Sequence, residues 1–199
     1  MYRSQLGARG MADSPPHDLA DAEAEADKAR SATFGGGDFW CMQAMFEHVP
    51  GVESVTCGYA GGQTENPTFN EVSSGKTGHA EVVQIKFDPT LISYGKLLDA
   101  FWYAHDPTKI NRQGDNIGTQ YRSIILYQNE GQKTIAERSL RMASTRFSDR
   151  IMTEIIPLSI FYKAENDQQD YFRKNPKAGY CRSVIQPRLE TFEKKLGVN

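Results

Sequence analysis

The segment GGGDFWC at residues 35–41 places an acid and a thiol at the start of an amphipathic stretch. Apolar residues recur there at three- and four-residue spacing, which predicts a helix over 38–48. A helix N-terminus stabilises anions, so this position suits a thiolate nucleophile or an oxyanion. Asp38 is also a favoured N-cap residue. The residue types alone therefore favour a structural cap that takes no part in chemistry.

Glu81 is the second group that could do chemistry. The segment HAEVVQIKF at 79–87 alternates as a strand, and Glu81 shares the parity of its apolar positions. A carboxyl group on a core face is desolvated, which raises its pKa and favours a neutral, proton-donating form. Residues at strand ends often reach solvent, however, and the pattern alone slightly favours that structural explanation.

Four aromatic residues accompany these groups. Phe39 and Trp40 lie at the predicted helix start, while Tyr59 and Tyr121 flank two long polar loops. Core or lid packing is the default interpretation of such residues. They could also form a small apolar pocket edged by hydroxyl donors, suited to a short thioether-like side chain.

The three cysteines, Cys41, Cys57 and Cys181, contain no CxxC pair. This spacing argues against a disulfide framework and against a zinc site. We therefore expect free thiols, either buried or redox-active, in a reducing compartment such as the cytoplasm.

The predicted strands and helices alternate along the chain and position these groups. We predict strands over 32–34, 52–59, 79–87, 122–127 and 153–157, and helices over 38–48, 91–104, 130–145, 163–174 and 188–196. Polar loops at 60–78 and 105–120 are long enough to be functional. Mixed elements without an internal repeat predict an α+β fold in two layers.

Length and composition limit the remaining possibilities. With 199 residues, of which 39% are hydrophobic, the chain suits one domain plus a tail. Residues 1–31 are rich in alanine and acids, so we expect a disordered tail there and a folded domain over 32–199. A net charge of −2 argues against nucleic-acid binding, and no apolar run reaches the roughly 20 residues that cross a bilayer. We expect a soluble monomer.

Longer stretches resemble one known family. GGGDFWC, GYAGG (58–62), NPTFNEVSSGKTGHAEVVQIKFDP (66–89), FWYAHDPTKINRQGDNIGTQYRS (101–123) and NPKAGYC (175–181) are similar, in order and spacing, to the A-type peptide methionine sulfoxide reductases. The resemblance implies an α+β two-layer sandwich around a mixed sheet, ferredoxin-like in character. It also implies reduction of the S-epimer of methionine sulfoxide, free or in proteins, to methionine.

The same resemblance implies a mechanism without a bound cofactor or metal. A cysteine thiolate at the start of the first helix attacks the sulfoxide sulfur and becomes a sulfenic acid. A second cysteine then closes a disulfide, which thioredoxin or dithiothreitol reduces.

Carried over residue by residue, the resemblance assigns roles to the groups above. Phe39 and Trp40 would form an apolar floor for the substrate's methyl group. Glu81 would protonate the sulfoxide oxygen, and Tyr59 and Tyr121 would hydrogen-bond it. The resemblance thus reverses the preference for a structural Glu81, whose place on an apolar face now indicates pKa tuning for a general acid.

The chain departs from the family pattern at the nucleophile. The family has Cys before FW, where this chain has Asp38, and a carboxylate lacks the sulfur chemistry that yields a sulfenic acid. Asn116, assigned to substrate binding, stands where the family has Asp, and the nearest acid, Asp115, is displaced by one position. Gln168 replaces a usual His. These changes alter the charge pattern of the site.

Two thiols bear on whether the chain can still reduce its substrate without a cysteine at position 38. Cys181 matches the position that commonly supplies the recycling thiol. Cys41 lies at i+3 from Asp38, roughly on the same helix face, and is an alternative nucleophile away from the N-terminal edge. We interpret the chain as a reductase whose nucleophile is replaced. Two alternatives stay open: a reductase that uses Cys41, and a catalytically silent module that recognises methionine sulfoxide.

Overall fold

A computed structural model describes residues 19–197. Its helices α1–α7 span Leu19–Lys28, Phe39–Phe46, Phe69–Ser73, Tyr94–Ala104, Glu130–Ala143, Tyr171–Lys174 and Gln186–Leu196. Its strands β1–β8 span Ser31–Gly35, Val52–Ala60, Ala80–Phe87, Arg112–Gln113, Asn116–Ile117, Ile124–Tyr127, Glu154–Pro157 and Tyr162–Lys163. The disorder predicted for residues 1–18 lies outside the described residues.

The main sheet has six strands in the order β7-β6-β1-β3-β2-β8. The pairs are antiparallel except β6 with β7, which is parallel. Within it, the succession β1-α2-β2-β3-α4-β6 places four strands in the order β6-β1-β3-β2, the ferredoxin-like arrangement. The predicted α+β fold around a mixed sheet is confirmed.

The two faces of the sheet bury different clusters. Val83, Ile85 and Phe87 of β3 belong to the large core shared with the helices, while Ala80 and Val82 face a smaller cluster on the other side. Because side chains alternate along a strand, Glu81 points to the helix side, as its parity predicts. In the register of β2 with β3, Tyr59 lies directly opposite Glu81.

Aromatic packing holds α4 and α2 against the sheet. The ring of Phe34 on β1 lies 5.0 Å from Phe101, 5.9 Å from Phe46 and 6.0 Å from Tyr94, measured between centroids. Burial of one such side chain contributes about 1.5–3 kcal/mol. This core fixes the position of α2, whose first turn carries the candidate site.

The prediction of a disordered tail is wrong for residues 19–28, which form α1. Ala22 and Ala26 are buried where α1 packs on α5. At Gly131 on α5, a Cβ would lie 2.6 Å from the Ala22 carbonyl oxygen and 2.6 Å from the Ala26 nitrogen. Small side chains on both helices let the two backbones approach closely. This close packing stabilises α1 in place of the large apolar side chains that hold other helices.

The predicted helix over 163–174 is wrong for its first part. Tyr162–Lys163 pairs with β2 as β8, and only Tyr171–Lys174 is helical. Gln169 supplies the reason, because its side chain accepts from the Cys57 N–H at 2.8 Å and donates to the Cys57 carbonyl at 2.9 Å. Side-chain hydrogen bonds of this kind compete with helix formation.

The two long polar loops contain short elements that sequence patterning does not predict. The first holds α3, which begins with a capping box between Thr68 and Glu71. The second holds the β4–β5 hairpin and a 3-10 turn, Thr119–Tyr121. Within residues 19–197, no helix is long and apolar enough to cross a bilayer. The same residues contain no group of three His, Cys, Asp or Glu side chains that could hold a metal ion.

Candidate active site

Asp38 occupies the N-cap of α2. Its backbone is extended (φ −69°, ψ 141°), and its Oδ1 accepts the Cys41 N–H at 2.9 Å. The preceding residue, Gly37, has φ +100°, and a Cβ there would lie 3.0 Å from Cβ of Gln113. Glycine is therefore needed for the chain to enter the helix at this point. The capping role expected from the residue type is confirmed.

The second carboxylate oxygen of Asp38 has its own partners. The Tyr180 hydroxyl donates to Oδ2 at 2.8 Å, the Asn116 amide donates at 3.3 Å, and Nη1 of Arg188 lies at 3.7 Å. Asn116 also donates to the Tyr180 hydroxyl at 2.9 Å. Asp38 is only 4% exposed. A buried carboxylate is tolerated when it is paired and hydrogen-bonded in this way.

Glu81 lies beside this network. It is 2% exposed, and its Oε2 accepts the Phe39 N–H at 3.1 Å. Burial raises the pKa of Glu81 to about 8; the Phe39 hydrogen bond opposes this, and the negative charge of Asp38 adds to it. At neutral pH the carboxyl group is therefore mostly protonated and able to donate a proton.

Packed aromatic rings form a wall of the site next to these carboxyl groups. The Trp40 ring stacks on Tyr171 with centroids 3.9 Å apart, lies 5.8 Å from Phe69 and meets Tyr180 edge-on at 5.9 Å. Its buried Nε1 has no hydrogen-bond acceptor among residues 19–197. The Phe39 ring, fully buried, lies 6.1 Å from Trp40 and completes the wall.

The two predicted oxygen-binding tyrosines differ in their surroundings. The Tyr59 hydroxyl donates to Oε2 of Glu165 at 2.9 Å, and Oε1 of Glu165 accepts the Phe69 N–H at 2.7 Å. Burial and Glu165 raise the pKa of Tyr59. Tyr121 is half-buried at the end of its 3-10 turn, and burial followed by the charge of Glu81 raises its pKa. Both phenols thus lie near Glu81 in protonated form.

The three thiols are free and buried. Burial, and then the charge of Asp38, raises the pKa of Cys41 well above its ordinary value, although Nη1 of Arg188 lies 3.8 Å from its sulfur. The Cys57 thiol donates to Oε1 of Gln43 at 3.3 Å. Cys181 follows Tyr180 directly at the start of a π turn, and burial raises its pKa too. None of them is an activated thiolate in this arrangement.

Three residues of the site were missed by sequence reasoning: Tyr180, Glu165 and Arg188. Tyr180 stands in the motif NPKAGYC, so its place next to Cys181 was an available signal. Glu165 stands in AENDQQDY, the segment that also holds Gln168, so it carried a signal too, whereas Arg188 lies outside every motif that carries the resemblance.

Solved structures share this fold. Methionine sulfoxide reductase A of Corynebacterium diphtheriae is 35% identical, with a TM-score of 0.68 over 75% of this chain and 76% of that one. Mxr1 from Saccharomyces cerevisiae in reduced form is 30% identical, with a TM-score of 0.73 over 78% of this chain and 91% of that one. The structure of Mxr1 in complex with Trx2, at 23% identity and a TM-score of 0.52 over 73% and 87% of the two chains, bears on the fold alone.

Sequence relatives give a second comparison, which covers most of the chain. A peptide methionine sulfoxide reductase from Leptospira borgpetersenii is 53% identical over 163 residues, covering 82% of this chain and 93% of the relative. The family model for peptide methionine sulfoxide reductase matches residues 30–198. The chain therefore belongs to the peptide methionine sulfoxide reductase family, oxidoreductases that return methionine sulfoxide to methionine.

Proposed function

We propose that this site binds the S-epimer of methionine sulfoxide, free or in proteins, and that Asp38 permits binding but blocks reduction. The substrate's methyl group packs on Phe39 and Trp40, and its oxygen lies toward Glu81, Tyr59 and Tyr121. The observation that carries the proposal is the buried Glu81 carboxyl group, held at 3.1 Å by the Phe39 N–H, whose pKa of about 8 keeps a proton available.

The missing half of the reaction is the two-electron transfer from sulfur. A thiolate at position 38 would attack the sulfoxide sulfur while Glu81 supplies a proton to the departing oxygen. The oxygen then passes to the cysteine sulfur as the bond between the two sulfur atoms breaks, so methionine leaves and the thiol becomes a sulfenic acid. Two reducing thiols then release the oxygen as water and become a disulfide. The carboxylate of Asp38 has no equivalent oxidation step.

Charge compensation supports substrate binding despite Asp38. An isolated anion would repel the negative end of the S–O dipole. Here the Oδ2 charge is shared with the Tyr180 hydroxyl and the Asn116 amide, and with Arg188 at 3.7 Å. This pairing favours a pocket that still accepts the sulfoxide.

Asp38→Cys is the decisive variant. It should gain dithiothreitol-dependent reduction of a methionine-S-sulfoxide peptide, measured by chromatography of the methionine product. Asp38→Asn is the matched control, because it removes the charge without supplying a thiol, and it should stay inactive. If Asp38→Cys shows no gain over the original chain, the proposal is wrong.

Binding without turnover is tested on the original chain. Calorimetric titration with a peptide in its S-sulfoxide and methionine forms should show tighter binding of the sulfoxide. This result would also support the second candidate, a catalytically silent module that recognises methionine sulfoxide, which the pairing of Asp38 with Tyr180, Asn116 and Arg188 favours. Equal affinity for the two forms would contradict both.

A reductase that uses Cys41 is less well supported. The thiol is 1% exposed, and burial holds its pKa well above the ordinary value. Reduction by the original chain that Cys41→Ala abolishes would support this alternative. Reduction that persists in Cys41→Ala would exclude it.

Thioredoxin is the proposed reductant of a restored enzyme, with Cys181 as the recycling thiol. Mxr1, which shares the fold, has been solved in complex with Trx2. In the Asp38→Cys background, Cys181→Ser should lose thioredoxin-dependent turnover and keep reduction by dithiothreitol. We propose further that the protein is a cytoplasmic monomer without a bound cofactor, which its three unpaired cysteines suit.

A further inference from the structure

A groove runs along α7 next to the site. Its main part is a cavity of about 750 Å³ between the end of α4, the β4–β5 hairpin and α7. Two neighbouring depressions of about 410 Å³ each continue it, one sharing Arg146 and Lys195 with the cavity and the other sharing Gln113 and Gly114. The basic groove is defined by its cationic lining: Lys96, Lys109, Arg112, Arg146, Arg188 and Lys195.

The charge of this groove is opposite to that of the chain. Its lining holds six cationic side chains and two carboxylates, Asp99 and Asp106, an excess of four positive charges. The formal net charge of the whole chain is −2. Asp99 pairs with Lys96 at 3.3 Å and Asp106 with Lys109 at 3.7 Å, so both carboxylates are engaged.

Of the other four cations, Arg188 pairs with Asp38 at 3.7 Å and the remaining three are unneutralised. Within residues 19–197, Arg112, Arg146 and Lys195 have no carboxylate partner. The Arg146 guanidinium lies over the Tyr103 ring, 5.5 Å from its centroid, which orients the side chain without neutralising it. Like-signed charges gathered along a concave surface produce a field that attracts a complementary partner.

The groove begins where the candidate site ends. Arg188 lines the cavity, and its Nη1 lies 3.7 Å from Oδ2 of Asp38. Gln113 also lines it, within contact of the Gly37 position. An extended peptide advances about 3.3 Å per residue, so residues a few positions from a methionine held at Asp38 fall along this surface.

We propose that the basic groove docks acidic residues that flank the methionine sulfoxide in a polypeptide substrate. The inference rests on the proposed function, because it assumes that the oxidised side chain enters beside Asp38. It adds a substrate class: oxidised methionines next to Asp or Glu are preferred over those next to Lys or Arg.

The test uses the original chain and four matched peptides. Each peptide carries either methionine S-sulfoxide or methionine, flanked by either Asp or Lys, and affinities are measured by fluorescence anisotropy. At low salt, we expect the Asp-flanked sulfoxide peptide to bind about tenfold more tightly than the Lys-flanked one, with a smaller gap at high salt because mobile ions screen exposed charges. The double variant Arg146→Glu/Lys195→Glu should abolish the gap.

A second double variant controls for net charge. Lys133→Glu/Arg138→Glu makes the same charge change on α5, where both side chains have ion-pair partners outside the groove, and should keep the preference. Equal affinity for Asp and Lys flanks, or a gap that survives Arg146→Glu/Lys195→Glu, would overturn the inference. If affinity depends on the flanking residues but not on oxidation of the methionine, the result would support docking in the basic groove and contradict the proposed function. The inference and the proposed function can therefore fail separately.

Discussion

The side-chain amide of Asn116 donates to the carboxylate of Asp38 at 3.3 Å, and both groups share the Tyr180 hydroxyl. These are two of the positions at which the sequence resemblance implies other residues, Asp at 116 and Cys at 38. An acid at each would place a half-buried carboxylate beside the buried one of Asp38, which is unfavourable. The amide supplies a donor instead, so the two departures are compatible with each other.

Asn116→Asp should therefore destabilise the original chain by about 1–3 kcal/mol, the cost of replacing a half-buried donor by a repelling acceptor. Urea unfolding at pH 7 measures this free energy. In the Asp38→Cys background the same change should cost less, because the opposing charge is gone. Asn70→Asp, on the exposed surface of α3, is the control and should have little effect. Equal costs in the two backgrounds would contradict the coupling.

Glu81 should make stability depend on pH. Its pKa is raised from an ordinary 4.5 to about 8 in the folded chain, so the folded state binds the proton more tightly than the unfolded state. The stability that protonated Glu81 contributes is fully present below about pH 4.5. It is lost as pH rises toward 8, at up to roughly 1.4 kcal/mol per pH unit. Urea unfolding across this range should show the decline, and Glu81→Gln should flatten it. An unchanged slope in Glu81→Gln would refute the assignment, and Glu130→Gln on the exposed surface serves as control.

The three thiols should be protected in the folded chain. Each is buried with a raised pKa, and iodoacetamide reacts with thiolates. Intact-mass spectrometry after brief treatment at pH 7.5 should show no label on folded protein and three on protein unfolded in urea, one for each cysteine. Rapid labelling of Cys41 in the folded chain would count against its burial and revive it as a nucleophile.

The docking of α1 should depend on Gly131. A Cβ there would lie 2.6 Å from backbone atoms of α1, so Gly131→Ala should release the helix and speed hydrogen exchange over 19–28. Gly95→Ala is the matched control, because a Cβ at Gly95 would meet Ile135 at an ordinary 3.7 Å. Unchanged exchange in Gly131→Ala would mean that α1 does not depend on this contact.

Local patterning explains why much of the fold is predictable from the chain. The period-two alternation of 79–87 and the helical spacing after Asp38 each arise from residues close in sequence, and both elements form as predicted. The capping role of Asp38 and the burial of Glu81 follow from the same local information. Elements built on other interactions were missed: α1 depends on small side chains rather than apolar bulk, and the segment before α6 depends on Gln169.

The sequence by itself determined the fold class, the family resemblance and the Asp38 carboxylate at the position where that resemblance implies a thiol. Only the tertiary structure decided how that carboxylate is accommodated. Tyr180, Asn116 and Arg188 come from separate elements and meet at Asp38 because the sheet and α7 bring them together. The raised pKa of Glu81 and the charge of the basic groove likewise depend on burial and on distances between residues far apart in the chain. Such long-range contacts leave no periodic signal in a sequence. They can therefore be identified only from the folded structure.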